Sequence, residues 1–537
     1  MDDLKALELS LLNGAAVLPW DRFNAWVHSI CVVTFDLELG QAIEKLYPGD
    51  QACLSEADKT NICYLAFPDS NSGVMGDTQF HFRIRLSTDT KCSGHLALNN
   101  RIHTEYNRKC PSAIAYDPKF LFGFVYFRQV KDSNIRRGYY QKSVILLSKL
   151  PLMTMFPQVT SVIARKYFET GEIALEAAAQ DIDSWPLPGP GHFLELALMG
   201  HLFQLSLPSH STRSVESGCE TVTLAPSHGD LLPAFDTVDL FLCLLPVIEH
   251  AHCLWELVLT AEPLVVMASN PSLCSSTVQY LTTLIYPLNY AADYRPFYTI
   301  HDSDFKNITA APSTNSSSSA PLPNILLGVT NPFFGKALKH WPHIVKLGDS
   351  GTLTGLLKSP SKSGGSSDSK QKAMTKFKLD ARAGLYSSNK AFLEKDKSMV
   401  KRVQKGVQLR RPNAVQSALI RRHFLELTQT FMIPLERYLA SLMPLARNIS
   451  PYRAAPKVKP FNQDEFLVSL ENCGPQLTSN VKGDWEGLYR RFFKSPNFVH
   501  WYNQRHREVA QKLQLLHLES LADSKIEVIF KSIQNAK

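Results

Sequence analysis

Apolar residues along this chain change their spacing twice, and no single period serves both a sheet and a helix. Over residues 20–185 the signals are those of strands: in TQFHFRIRL, Phe80, Phe82, Ile84 and Leu86 alternate with polar residues, as on a half-buried strand. FLFGFVYFRQV and GYYQKSVILLSKL are two further β-rich runs, and the polar KDSNIRR between them reads as the turn of a long antiparallel hairpin. FPQVTSVIARKYFETGEIALEAAAQDI then carries apolar residues at helical spacing and stops at the proline-rich WPLPGPG, where a boundary is expected.

Over residues 193–348 the rhythm becomes an alternation of helix-length and strand-length runs. LFLCLLPVIEHAHCLWELVLTA reads as helix, PLVVMA as a short strand and STVQYLTTLIYPL as helix again, an order that predicts a parallel sheet. The polar, low-complexity segment at 307–324, NITAAPSTNSSSSAPLPN, reads as an exposed insertion before the buried strand and turn of ILLGVTNPFF. Residues 349–401 include LKSPSKSGGSSDSKQKAMTKFK, rich in Ser, Gly and Lys and poor in large apolar side chains, and are expected to be a flexible basic linker. Residues 403–537 return to helical spacing. SALIRRHFLELTQTFMIPLERYLASLM carries a continuous apolar stripe that Pro434 is expected to kink or break, and DEFLVSLE, DWEGLYRRFF and the run from Asn497 onward add further helices. The expected class is therefore α/β and α+β in several modules, about three or four domains for a chain of this length.

Composition narrows the function classes. The apolar stretches VDLFLCLLPVI and PLVVMA end at Glu249 and before Ser269, short of the ~20 residues a spanning helix needs. MDDLKALELSLL opens with acids where a secretory signal carries bases, so a cytosolic chain is expected. Ten cysteines without a CxxC pair read as reduced thiols, and the glycosylation-like triplets at Asn307, Asn315 and Asn448 then carry no meaning. The net charge of +8 is local: between residues 346 and 411 sixteen basic residues face five acidic ones, an excess of eleven, leaving the rest close to neutral. Only Phe377, Tyr386 and Phe392 interleave with that basic stretch, too few aromatics for base stacking, so nucleic acid is not expected. A solvated tether, with a secondary contact to an anionic membrane, is the expected role.

No catalytic apparatus is legible. GxSxG, GxxxxGK[ST], GxGxxG, HExxH and deaminase patterns are all missing, so neither a cofactor nor a metal is expected. His250, His252 and Cys253 form the densest cluster of ligating residue types, but the two histidines point to different faces of a helix. The SNSG segment between Asp69 and Asp77 has the composition of a turn rather than of a nucleophile loop.

These three rhythms, in this order, resemble the tripartite DENN domain of Rab exchange factors. LWELVLTAEPLVVMASNPSLCSSTVQYLTTLIYPL, RPFYTIHDSDF and ILLGVTNPFF are similar to its central signature. FDLELGQAIEKLYP, KTNICYLAFPDSNSG and FVYFRQV upstream, with RRHFLELTQTFMIPLERYLASLMPL and GPQLTSNVKGDWEGLYRRFFKSPNF downstream, resemble the sixth DENN subfamily and extend the likeness over nearly the whole chain. The Ser-rich segment near Ser316 and the Gly-Ser stretch near Gly364 depart from it. The resemblance implies a longin-like first module (20–185), an α/β central DENN module (193–348) and an all-α downstream DENN module (403–537). It also implies a groove between them that holds the switch regions of a GDP-bound or nucleotide-free Rab, with recruitment to endosomes, the recycling endosome in particular.

Such a protein accelerates GDP release by preferring the open GTPase, without covalent chemistry, and a shift from mostly closed to mostly open requires about 5.5 kcal/mol of differential affinity. A Rab effector or trafficking adaptor that uses the same groove is the alternative. Candidate contacts are Asn331, Pro332, Phe333 and Phe334 after the buried strand, Trp255 and Glu256 in the central helix, and Asp484, Trp485, Tyr489 and Arg490 in a downstream helix. For each, packing within the protein is the competing assignment.

Overall fold

Residues of the first region close into one sheet covered on both faces. The computed structural model describes residues 20–36, 38, 40–49, 54–69, 75–87, 96–134, 138–209, 221–225, 239–309, 322–348, 383–387, 389–444, 449, 454, 456–477 and 480–522. The SNSG turn, most of the 307–324 insertion, residues 349–382 of the basic stretch and the last fifteen residues lie outside these. Strands β1 (Ser29–Asp36), β2 (Gly40–Tyr47), β3 (Gly76–Arg85), β4 (Phe120–Lys131) and β5 (Tyr139–Ser148) pair antiparallel in the order β2-β1-β5-β4-β3. The hairpin expected across KDSNIRR is the β4–β5 pair. Helix α1 (Asp21–Trp26) lies on one face, α2 (Glu56–Leu65) on the other, and α3 (Leu96–Lys109), α4 (Met155–Thr170) and α5 (Ile173–Asp183) follow in chain order. The single helical run read after β5 is two helices, because Gly171 at φ 76° ends the first. Val32, Phe124, Tyr126 and Leu146 face α1, α4 and α5, whereas Val33, Val125, Phe127 and Ile145 face Ile62 and Leu65 of α2. Trp26 and Trp185 meet edge to face at 5.8 Å, and the Trp185 indole donates to the Ala197 carbonyl at 2.6 Å.

That bond brings in the next hairpin. Strands β6 (Phe193–Leu198), β7 (His201–Ser206) and β8 (Thr221–Ala225) form a small antiparallel sheet, and Leu194, Leu196, Phe203 and Leu205 pack into the core of the first region. The central run follows as α6 (Leu240–Leu244), a 3₁₀ turn (Leu245–His250) and α7 (Ala251–Leu259). Leu240–Leu259 together is long and apolar enough to cross a membrane by length and composition. Here it lies in the largest core of the protein.

Strands β9 (Leu264–Met267), β10 (Asp293–Tyr298), β11 (Ile325–Val329) and β12 (His343–Lys346) make the parallel sheet, with β13 (Gly384–Ser387) antiparallel at its edge, in the order β10-β11-β9-β12-β13. Helix α8 (Pro271–Thr283), capped by the Asn270 side chain on Ser272 N–H at 2.8 Å, crosses between β9 and β10. The backbones of β10 and β11 approach so closely that a Cβ on Gly328 would sit 2.1 Å from the Pro296 carbonyl oxygen, which leaves glycine as the residue that fits. Two short helices, α9 (Phe305–Thr309) and α10 (Phe334–Ala337), follow β10 and β11.

From Lys397 the described chain is helical: α11 (Lys397–Gln408), α12 (Asn413–Ser441), α13 (Gln463–Cys473), α14 (Trp485–Phe492) and α15 (Pro496–Ala522). Two expectations are corrected. Helix α12 runs through Pro434 unbroken, because Phe431, Leu435 and Leu439 on either side are buried and packing outweighs the lost backbone bond. Residues 383–387 and 389–401, expected within a flexible linker, are ordered: β13 completes the sheet, and Leu393, Met399 and Val400 are buried in the shared core.

The central and helical regions share that core, and polar contacts join them as well. The buried Glu256 carboxylate accepts the Phe392 and Leu393 N–H groups at 2.9 and 2.7 Å. The Trp255 indole donates to Thr428 Oγ1 at 2.9 Å. Asn497, fully buried, donates to the Val258 and Leu259 carbonyls at the end of α7 and accepts the Ala291 N–H.

Glu256→Ala orphans two backbone donors next to a buried core. It should lower stability by about 2–4 kcal/mol in a urea titration, with faster amide hydrogen exchange confined first to Phe392 and Leu393. His81 of β3 is buried, its Nε2 has no hydrogen-bond partner, and burial pushes its pKa from 6.5 down to about 4. The folded state holds it neutral while the unfolded state binds its proton. Its contribution is therefore complete above pH ~6.5 and is lost as pH falls toward ~4. The urea midpoint of the wild type should fall between pH 7 and pH 5, and His81→Phe should flatten that fall.

Candidate functional site

Strand β3 alternates in sequence as if half-buried, yet Phe80, His81, Phe82, Ile84 and Arg83 are all buried. The second face is covered by the central region. His81 N–H lies 3.4 Å from Ser275 Oγ of α8, and Phe80 packs on Phe297 of β10 with ring centroids 4.9 Å apart. The Arg83 guanidinium bonds Asp293 at 2.8 Å and the Tyr294 carbonyl at 3.1 Å, with the Phe120 ring 3.3 Å and the Tyr294 ring 4.1 Å from its carbon. Asp293 also takes Arg295 at 3.2 Å, and Arg295 reaches Asp304 beyond the strand at 3.3 Å. A charged, ring-stacked seam thus holds the first sheet against the second.

This seam decides what stands beside the carboxyl ends of β10 and β11, the edge at which ligands of parallel sheets gather. The loops leaving that edge are 299–304 and 330–333, and α2 of the first region comes alongside them. Tyr64 of α2 stacks on His301 at 4.7 Å with the rings 19° apart, and Asn61 reaches Ser303 at 3.5 Å. Asp69, just past α2, is hydrogen-bonded to Asn331. Burial raises the Asp69 pKa, with the Asn331 bond and nearby His301 opposing. Asp302, buried beneath, is likewise pushed up by desolvation, against the pull of the Asp304 N–H and Arg295. The Asn331 side chain accepts the Phe333 N–H at 2.9 Å, closing a turn that sends Phe333 outward, 50% exposed, against the Phe305 ring at 6.4 Å. Phe334, 1% exposed, turns inward onto Tyr298 and Phe305.

The three groups of candidates do not converge. Asn331, Pro332 and Phe333 lie on this rim, and Phe334 is core. Trp255 and Glu256 are buried and occupied by Thr428 and by the 392–393 backbone, so neither is available to a partner. Trp485 and Tyr489 are buried in the helical core, where Tyr489 stacks on Phe431 at 4.3 Å and donates to its carbonyl at 2.7 Å. Asp484 caps α14 through the Gly487 N–H at 2.7 Å, and exposed Arg490 bonds Glu486 at 2.7 Å. Neighbouring Arg491 reaches Glu262, which precedes β9, at 2.9 Å, so α14 stands at the amino end of the sheet, opposite the rim. Tyr64, His301 and Phe305 were not singled out, although each lies in a string that carries the family resemblance. What was missing is which turn residue faces out.

Among the described residues no group of three or more His, Cys, Asp or Glu is placed to hold a metal ion. His252 Nε2 meets His423 Nε2 of α12 at 2.9 Å, and Asp77 is clamped by Arg128 at 2.7 Å through both oxygens. What the rim offers is a contact surface of stacked rings, carboxylates and one outward phenylalanine, without an arranged nucleophile.

Two family models match: one described as "Transport protein Avl9" over residues 27–179 and one as "DENN (AEX-3) domain" over residues 139–313. The chain is 49% identical to "Protein DENND6B" of Mus musculus over 96% of its own length and 85% of the relative's. It is 48% identical to "Protein DENND6A" of Gallus gallus over 96% and 85%. It is 31% identical to "Protein DENND6 homolog" of Dictyostelium discoideum over 97% and 76%. The chain belongs to the DENND6 subfamily of DENN-domain proteins.

Proposed function

We propose that this protein is a guanine-nucleotide exchange factor for a Rab-family GTPase and acts through the rim between its first and central regions. The observation that carries the proposal is the juxtaposition, across the Arg83–Asp293 seam, of α2 with the loops at the carboxyl ends of β10 and β11. Membership of the DENN-domain family supports it, since these proteins act on GTPases by binding rather than as classical catalysts. The first region, a five-stranded antiparallel sheet with helices on both faces, is the longin-like module; 193–348 is the central DENN module and 403–537 the all-α downstream module.

A GTPase keeps its nucleotide through a phosphate loop, a magnesium ion and ordered switch segments, and exchange requires a surface that binds the switches better once they have opened. Phe333 is the anchor in this reading. Its ring is held by the Asn331 turn and braced by Phe305, so little side-chain entropy remains to be lost on contact. Tyr64, fixed on His301, and the Asp69 carboxylate flank it from the first region. The partner is the GDP-bound or nucleotide-free Rab, the setting is endosomal traffic with the recycling endosome as its membrane, and a peripheral contact with anionic lipid assists the cytosolic protein there.

Release of fluorescent GDP from a panel of purified Rabs tests this, with excess unlabelled nucleotide present. One Rab should be accelerated, and Phe333→Ala should slow that exchange by about ten-fold or more while leaving the melting temperature unchanged. Acceleration of none, together with capture of a GTP-loaded Rab, would replace the proposal by an effector or adaptor role.

A further inference from the structure

The excess positive charge of the chain does not end with residues 349–382; it continues onto an ordered helix. Helix α11 buries Met399, Val400, Val403 and Gly406, and the crossing with α12 is so tight there that a Cβ on Gly406 would meet the Gln416 side chain at 2.1 Å. At 100° per residue its opposite arc carries Lys397, Lys401, Arg402 and Lys405, all exposed. Among the described residues none of Lys397, Lys401 or Lys405 is in an ion pair, and Arg402 reaches only Ser398 Oγ at 3.4 Å. The acids nearby are committed or set apart. Asp396 caps the helix through the Ser398 and Met399 N–H groups and lies 4.0 Å from His423, Glu249 takes Lys395 at 3.4 Å, and Glu426 takes Arg422 at 2.9 Å. Glu394 remains exposed at the entry to the helix.

The end of α11 adds two observations. Arg411 N–H donates to the Gly406 carbonyl and Arg410 N–H to the Val407 carbonyl, both at 3.0 Å, the paired bonds that close a helix with a left-handed residue. That residue is Arg410, at φ 50°, where glycine is the usual occupant. The turn therefore keeps a cation at a position that strains it. Around it, Leu409 and Val415 are 56% and 52% exposed, two apolar side chains at the tip of a basic face.

We propose that the outer face of α11 and the α11–α12 turn are a docking surface for an anionic lipid bilayer. Lys397, Lys401, Lys405, Arg410 and Arg411 sit among the headgroups, and Leu409 and Val415 enter the interface. A helix face with exposed cations and apolar tips suits a fluid anionic surface, whereas no aromatic ring stands on this face to stack nucleic-acid bases. The proposal locates the membrane contact of the preceding reading on a folded element, and it does not depend on nucleotide exchange.

The test is sedimentation of the full chain, without any GTPase, with phosphatidylcholine vesicles and with vesicles carrying roughly 30% phosphatidylserine. Binding is expected to the second kind alone and to weaken as salt is raised. Lys401→Glu with Lys405→Glu should abolish it. Arg410→Gly should bind about five-fold more weakly, the effect of one cation near the surface. The same variant should melt at the same or a higher temperature, because glycine relieves the turn; weaker binding with a firmer fold separates lipid contact from misfolding. Leu409→Ser should weaken binding without changing its salt dependence. Equal binding to neutral vesicles, binding to neither, variants that bind like wild type, or duplex DNA competing as tightly as the anionic vesicles would each overturn it. GDP release measured in free solution is untouched by any of these outcomes.

Discussion

Everything on the rim depends on one buried arginine. The Arg83 guanidinium leaves water to sit between the rings of Phe120 and Tyr294, and Asp293 answers its charge at 2.8 Å. A buried charge without such a partner would be severely destabilising, so the strand that bears it can lie only where Asp293 stands. That requirement joins β3 of the first sheet to β10 of the second, and through Arg295 and Asp304 it reaches the loop beyond β10. The positions of Tyr64, His301, Asn331 and Phe333 relative to one another follow from that register.

The other side of the central sheet is held by a different chemistry. There the contact is a continuous apolar core, shared by α6, α7 and α8 with α11 to α15, and several of the polar groups within it bond to backbone. Glu256 receives two N–H groups, Asn497 serves two carbonyls and one N–H, and Tyr489 finds the Phe431 carbonyl. Such contacts resist sliding because each would leave a buried donor or acceptor open if it shifted. The central region is thereby clamped between a polar seam and an apolar one, and the rim opens only on the polar side. For the exchange activity proposed above this rigidity is an advantage, since differential affinity is lost when the binding surface adapts to both states of a partner.

Periodicity made the elements legible. The β4–β5 hairpin, the parallel β9, and the helices α8 and α12 to α15 were all available from runs of residues, because alternation and 3.6-residue spacing are local properties. The errors arose where distant chain supplied the missing face. Nothing within TQFHFRIRL indicates that α8 and β10 will cover His81 and Arg83, and nothing near Pro434 indicates that packing will carry a helix through it. The stretch around Leu393 reads as linker because its composition is polar, and it is ordered because Glu256, well over a hundred residues earlier in the chain, takes its N–H groups.

The same division holds for the candidate contacts. Sequence alone determined many of the helices and strands, since their spacing is written in nearby residues, and the likeness of several strings to a known family pointed to the family. It also singled out aromatic and charged residues near turns. Which of them face out was a tertiary decision: Phe333 and Phe334 are neighbours with the same side chain, and only the Asn331 turn, set by β11 within its sheet, exposes one and buries the other. Trp255, Trp485 and Tyr489 have the composition of an interface but spend it inside, because burying large rings against another helix gains as much as burying them against a partner. Exposure is a property of the assembled surface, and no run of residues carries it.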